Sequence, residues 1–146
     1  MKFLSKTVAL CLIAAAGAAA AKDGVTNPVV KERMDLMQTI RVNTGTLGNM
    51  ASGKEAFDPA AATAAKTALA AAAAEIVVKF QANEDDPVSE GSPKIWEDYA
   101  GFTTRAEALV TAAEAVDVAS LDGLKAGMGA IGGSCQSCHE VYRVKK

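Results

Sequence analysis

Cys135-Gln136-Ser137-Cys138-His139, close to the end of a 146-residue chain, is the stretch from which the rest can be read. Two thiols three residues apart, followed at once by an imidazole, form the pattern that attaches haem c. The chemistry needs that spacing. Each thiol adds across one vinyl group of the porphyrin, and the next residue falls under the iron, where a neutral imidazole nitrogen can ligate it. His139 is the only histidine in the chain. A thioredoxin-like redox pair would sit in a βαβ pattern, and none surrounds these cysteines. A structural zinc site needs four ligands, and this segment offers three. A Cys135–Cys138 disulfide is the plainest alternative.

At the other end, Met1-Lys2-Phe3-Leu4-Ser5-Lys6 precedes an apolar run and then small residues through Ala21. A basic start, a short apolar middle and an Ala-x-Ala-like end read as a signal peptide over residues 1–21, cleaved within Ala18–Ala21. The run is too short to span a bilayer. No later stretch of that length is purely apolar, so no membrane span is expected. Cys11 follows bulky Leu10, where lipoprotein processing wants a small residue, and leaves with the leader. Residues 22–146 form one domain large enough for a core. Its two cysteines make no disulfide scaffold. Export and haem c attachment point independently to the periplasm. Loss of Lys2 and Lys6 moves the formal charge from −2 to −4, whereas a nucleic-acid binder needs a basic face.

Three prolines announce helices. Asn27-Pro28, Asp58-Pro59 and Ser92-Pro93 each set a side-chain acceptor before a proline at the first helical position. Ser120-Leu121-Asp122 gives a fourth start. Period-2 strand patterns are absent. The predicted helices run roughly over 28–51, 59–82, 93–116 and 121–143. Four helices with mostly short connections predict an all-α, antiparallel up-and-down four-helix bundle. In the first helix, Val30, Met34, Met37, Ile40, Thr44, Leu47 and Met50 follow helical spacing. The second is alanine-rich, as befits a strong helix former with a small packing radius. The third puts Ile95, Tyr99, Phe102, Ala106, Leu109 and Ala113 on one stripe beside the only tryptophan, Trp96. In the fourth, Gly127, Gly129, Gly132 and Gly133 precede the cysteines. Glycine weakens a helix, so something flat and bulky is expected against them. The acidic loop at Glu84, Asp85, Asp86 and Glu90 reads as a solvated connection rather than a metal site.

The chain resembles the class II cytochromes c, the cytochrome c' family. The resemblance rests on the haem motif near the C-terminus of a four-helix chain and on the ending Tyr142-Arg143. It also rests on Arg33 four residues before Met37, on Ser92-Pro93-Lys94-Ile95-Trp96, and on Gly53-Lys54-Glu55-Ala56-Phe57-Asp58. It implies one haem c bound through Cys135 and Cys138 with His139 on the iron. The family divides over the opposite side of the iron. High-spin members leave it open behind an apolar residue and bind small gases; low-spin members bring a methionine from the first helix and transfer electrons. Met128 shares a helix with His139 and cannot reach across. Met34 and Met37 share a face, and spacing alone does not separate them. The family register, counted back from the Gly53 segment, names Met37.

The resemblance therefore implies a periplasmic electron-transfer protein with His139 and Met37 as axial ligands, with a five-coordinate form binding nitric oxide or carbon monoxide as the alternative. Arg33, one turn from Met37, is expected to pair with a haem propionate. Arg143, four residues after His139, is expected to flank the proximal imidazole and tune the iron. A peroxidase-like enzyme would need a distal acid or base, and no second histidine exists to supply it. The expected partners are redox proteins; both a monomer and a homodimer fit the pattern.

Overall fold

The computed structural model describes residues 24–144, so the expected signal peptide and the Lys145-Lys146 tail lie outside the described residues. Five helices follow in order: α1 Pro28–Ser52, α2 Pro59–Lys79, α3 Lys94–Glu97, α4 Tyr99–Ala115 and α5 Leu121–Tyr142. Each long helix packs on its neighbour in the chain, and α1 closes the ring against α5, while the diagonal pairs keep their backbones farther apart. That is the up-and-down bundle. The pair α1 and α5 packs least extensively of the four.

The helix starts at Asn27, Asp58 and Ser120 work as the sequence suggests, whereas at Ser92-Pro93 the proline itself takes the cap position of α3, without a side-chain cap bond. The Asn27 side chain accepts from the Val29 and Val30 N–H groups, and that of Asp58 from Ala60 and Ala61. Ser120 caps α5 through Gly123 N–H at 3.0 Å. These bonds satisfy donors that no preceding helical turn can reach. Gly53 ends α1 at φ +77°, a conformation only glycine adopts cheaply.

The predicted third helix is interrupted. Lys94–Glu97 makes a single turn, and Asp98, at φ −132° and ψ 58°, restarts the chain as α4. The Asp98 carboxylate explains the break: it accepts from Gly101 N–H at 3.1 Å, acting as a cap where a continuous helix was expected.

Leu47, Leu69, Ile95, Leu124 and Ile131 are fully buried at the centre. On α2 the buried set Ala62, Ala65, Leu69, Ala73 and Ile76 keeps spacings of three and four, so small side chains let α1 and α4 come close. α2 is long and apolar enough to meet the length and composition of a membrane span, at a mean hydropathy of 1.4, but here it is one of four packed helices. Phe80, Tyr99, Phe102 and Tyr142 fill one end, with the Phe102 and Tyr142 rings edge to face at 5.4 Å.

The acidic loop departs from expectation: it is a fastening. Asp86 is 4% exposed, and one of its oxygens accepts from Thr26 N–H, the Thr26 hydroxyl and Asn27 N–H at 2.9–3.0 Å. Its other oxygen accepts from Val88 N–H at 3.0 Å. Farther along, Ser92 N–H donates to the Tyr142 carbonyl and Val144 N–H to that of Glu90, each at 2.9 Å. The loop thus holds the start of α1 and the end of α5.

Candidate haem site

Cys135 and Cys138 lie on consecutive turns of α5 as free, half-buried thiols. Burial pushes both thiols up from the usual range and keeps them protonated, more strongly than the nearby Arg105 cation lowers Cys138. His139 lies at the exposed surface of α5. Partial desolvation of its ring, with Arg143 beside it, pushes its pKa down, and Glu90 pulls it back up. A neutral imidazole, the form that ligates iron, is therefore favoured.

The stripe Met128, Gly132, Cys135 and His139 runs along one face of α5 at spacings of four and three. A Cβ added at Gly129, Gly132 or Gly133 would meet nothing within 4 Å, and neither would one at Gly45 on α1. A face bare of side chains beside two thiols and an imidazole fits a flat porphyrin. Gly127 differs: a Cβ there would stand 2.5 Å from Val116 Cγ2, so this glycine serves close packing instead.

The register of α1 against α5 can be read from one contact. Met128 Cε lies 3.8 Å from where a Cβ on Gly48 would be. Eleven residues separate Met37 from Gly48, and eleven separate Met128 from His139, on helices that run in opposite directions. Met37 and His139 are therefore nearly level, each about 16 Å along its helix from that contact. Met37 is partly buried and packs against the core. Met34, on the same helix, is also partly buried.

Arg33 has a different occupation from the expected propionate contact. It is 4% exposed, and its Nε and Nη1 donate to the carbonyls of Lys79 and Glu84 at 3.0 and 2.8 Å, while Nη2 donates to that of Ala82. Its guanidinium lies 5.1 Å from the Phe80 ring centre and 5.2 Å from that of Trp96. The physical reason is that the chain leaving α2 turns main-chain oxygens, from the last helical residue Lys79 and from Ala82 and Glu84 beyond it, toward a buried cation that satisfies them. Burial pushes the Arg33 pKa down, while Glu84 and Asp85 oppose the shift. Arg143 caps the turn of His139 through its main chain, and its side chain is paired with Glu90.

Two residues outside the expected set touch the site. Arg105 donates to the Ser137 carbonyl, inside the pentapeptide, at 2.9 Å. Tyr142 donates its hydroxyl to Asp98 at 2.8 Å, tying the end of α5 to the start of α4. Both contacts cross between helices, and helical periodicity marks neither. Among the described residues, no three His, Cys, Asp or Glu side chains gather as a bare metal site.

Comparison with known proteins matches residues 28–143 to the family described as Cytochrome C'. Cytochrome c-556 from Agrobacterium tumefaciens (strain apple 185) is 36% identical over 118 residues, covering 78% of this chain and 93% of that protein. A solved cytochrome c' from Rhodobacter Spheriodes superposes with a TM-score of 0.75 at 30% identity, covering 81% of this chain and 96% of the other. A mutant cytochrome c prime from Alcaligenes xylosoxidans, solved as its nitric oxide complex, gives a TM-score of 0.72 at 26% identity, with coverages of 80% and 94%.

Proposed function

The chain belongs to the cytochrome c' family, whose members hold one covalently attached haem c, and from that premise we propose that it is a periplasmic protein binding nitric oxide or carbon monoxide. Cys135 and Cys138 would hold the haem as thioethers, and His139 would offer its imidazole nitrogen to the iron. When bound, the group supplies an iron that can change oxidation state and take a small ligand on its distal side. The chain's own residues do the rest. The bare glycine face of α5 leaves room for a porphyrin edge, and partial burial favours the neutral thiols. The observation that carries the gas-binding reading is the likeness to a relative solved with nitric oxide bound. A distal Met37 that packs against the core, as an apolar side chain would, also supports it.

A second reading has its own observation. The level register of Met37 and His139 favours a six-coordinate iron with both as ligands, cycling between oxidation states as an electron carrier. A neutral thioether would favour the reduced state and raise the potential. Neither reading assigns the protein a catalytic step; peroxide chemistry would require a distal acid or base.

Absorption spectra of the holoprotein and of Met37→Ala, ferric and reduced, with and without carbon monoxide, separate the two. Gas binding predicts a broad visible band in the reduced wild type that shifts at once with carbon monoxide, and little change on mutation. Sharp, split bands in the wild type that resist carbon monoxide, with Met37→Ala becoming reactive, would replace this reading by Met37 ligation and electron transfer.

A further inference from the structure

Glu90 belongs to the acidic loop, yet it reaches the proximal side of the iron site. Arg143 donates from Nε and Nη2 to the same Glu90 oxygen, at 2.8 and 2.5 Å. The main chain repeats the attachment through an antiparallel bridge between Gly91 and Arg143. Arg143 N–H also reaches the His139 carbonyl at 3.2 Å, so the Arg143 main chain caps the turn that carries the imidazole. The Arg143 side chain is 52% exposed, and among the described residues Glu90 is what holds its guanidinium. Without a partner, an arginine so exposed would spread its charge over many rotamers in water.

We propose that Glu90 is a positioning residue for the proximal side of the iron: it holds the Arg143 guanidinium beside His139 and so fixes the field felt by the ligand and the metal. The proposal rests on His139 as the proximal ligand and is independent of what occupies the distal side. A fixed cation near iron disfavours the more positive ferric state, and a carboxylate favours it. The midpoint potential should therefore depend on the pair and not only on each charge.

The test measures midpoint potentials of holoproteins at low ionic strength, where exposed charges are least screened. Arg143→Gln should lower the potential. In a Glu90→Ala background the same substitution should shift it by less than half as much, because the guanidinium is already dispersed. In a Glu90→Gln background, which keeps an acceptor without the charge, most of the Arg143 effect should survive. An Arg143→Gln shift of equal size in all three backgrounds, or no shift in any, overturns the proposal. So does a Glu90→Ala variant that loses thermal stability while its potential and its response to Arg143→Gln stay unchanged, which is a structural latch alone. A haemochrome spectrum of the wild type without the signature of two thioether bonds would sink the underlying haem reading first, whatever the potentials.

Discussion

A charged side chain that is almost wholly buried has to find partners, and Arg33 shows how local pattern can hide them. The sequence places it one turn before Met37 on a helix that faces a haem, so a propionate is the natural expectation. The partners it has are three carbonyls, one on the last residue of α2 and two in the loop after it, forty-six to fifty-one residues away. No periodicity announces a contact with main-chain oxygen at that separation. Arg33→Met keeps much of the stem but strands those carbonyls and gives up the stacking on Phe80 and Trp96. With charged hydrogen bonds contributing about 1.5–3 kcal/mol each but overlapping here, the loss should be about 2–3 kcal/mol. Urea unfolding of the holoprotein would register it, and a loss below about 0.5 kcal/mol, the level of an ordinary surface substitution, would show that water replaces the guanidinium freely.

Among elements, α5 is where sequence and site coincide. Its cysteines, imidazole and glycines could be read directly because they occupy consecutive turns of one helix, and the cap at Ser120 is equally local. What could not be read is that its five glycines have two employments. Gly132 lies on the stripe with Cys135 and His139 and faces nothing, while Gly127 lies against Val116. Substitution by alanine should split them. In apoprotein, Gly132→Ala should stabilise by up to about 1 kcal/mol through helix propensity. Gly127→Ala should instead cost roughly 1–3 kcal/mol, because Val116 and its backbone must move. In holoprotein the Gly132→Ala gain should vanish or reverse, with a lower yield of attached haem. An equal gain in both forms, read by thermal melting, would mean that the porphyrin lies elsewhere. The break at Asp98 was hidden for a related reason. A residue that caps from inside a continuous apolar stripe is outvoted by the stripe.

For the whole molecule, the four-helix ring follows from helix count and short connections, but the closure of its ends does not. Two carboxylates perform that closure. Asp86 binds the start of α1 to the acidic loop, and Asp98 binds the start of α4 to Tyr142 at the end of α5. Main-chain N–H donors, from Val88 first and then Asn27 and Thr26, hold the Asp86 pKa far below the usual carboxylate range. The Tyr142 hydroxyl, and then Gly101 N–H, lower that of Asp98. A carboxyl depressed in the folded state binds protons more readily when the chain unfolds. Its contribution is therefore fully present above the unfolded pKa of about 4 and fades as pH falls through the lower folded value. The molecule should lose stability steadily below pH about 4, opening at these two fastenings before the centre of the bundle. Asp86→Asn cannot be ionised, so it should be less stable than the wild type at neutral pH, and the gap should narrow as acid protonates the wild-type carboxylate. Urea midpoints of the two proteins between neutral pH and pH about 2 provide the comparison. A gap that stays constant across that range would assign the acid sensitivity to other groups and leave Asp86 as a neutral hydrogen-bond acceptor.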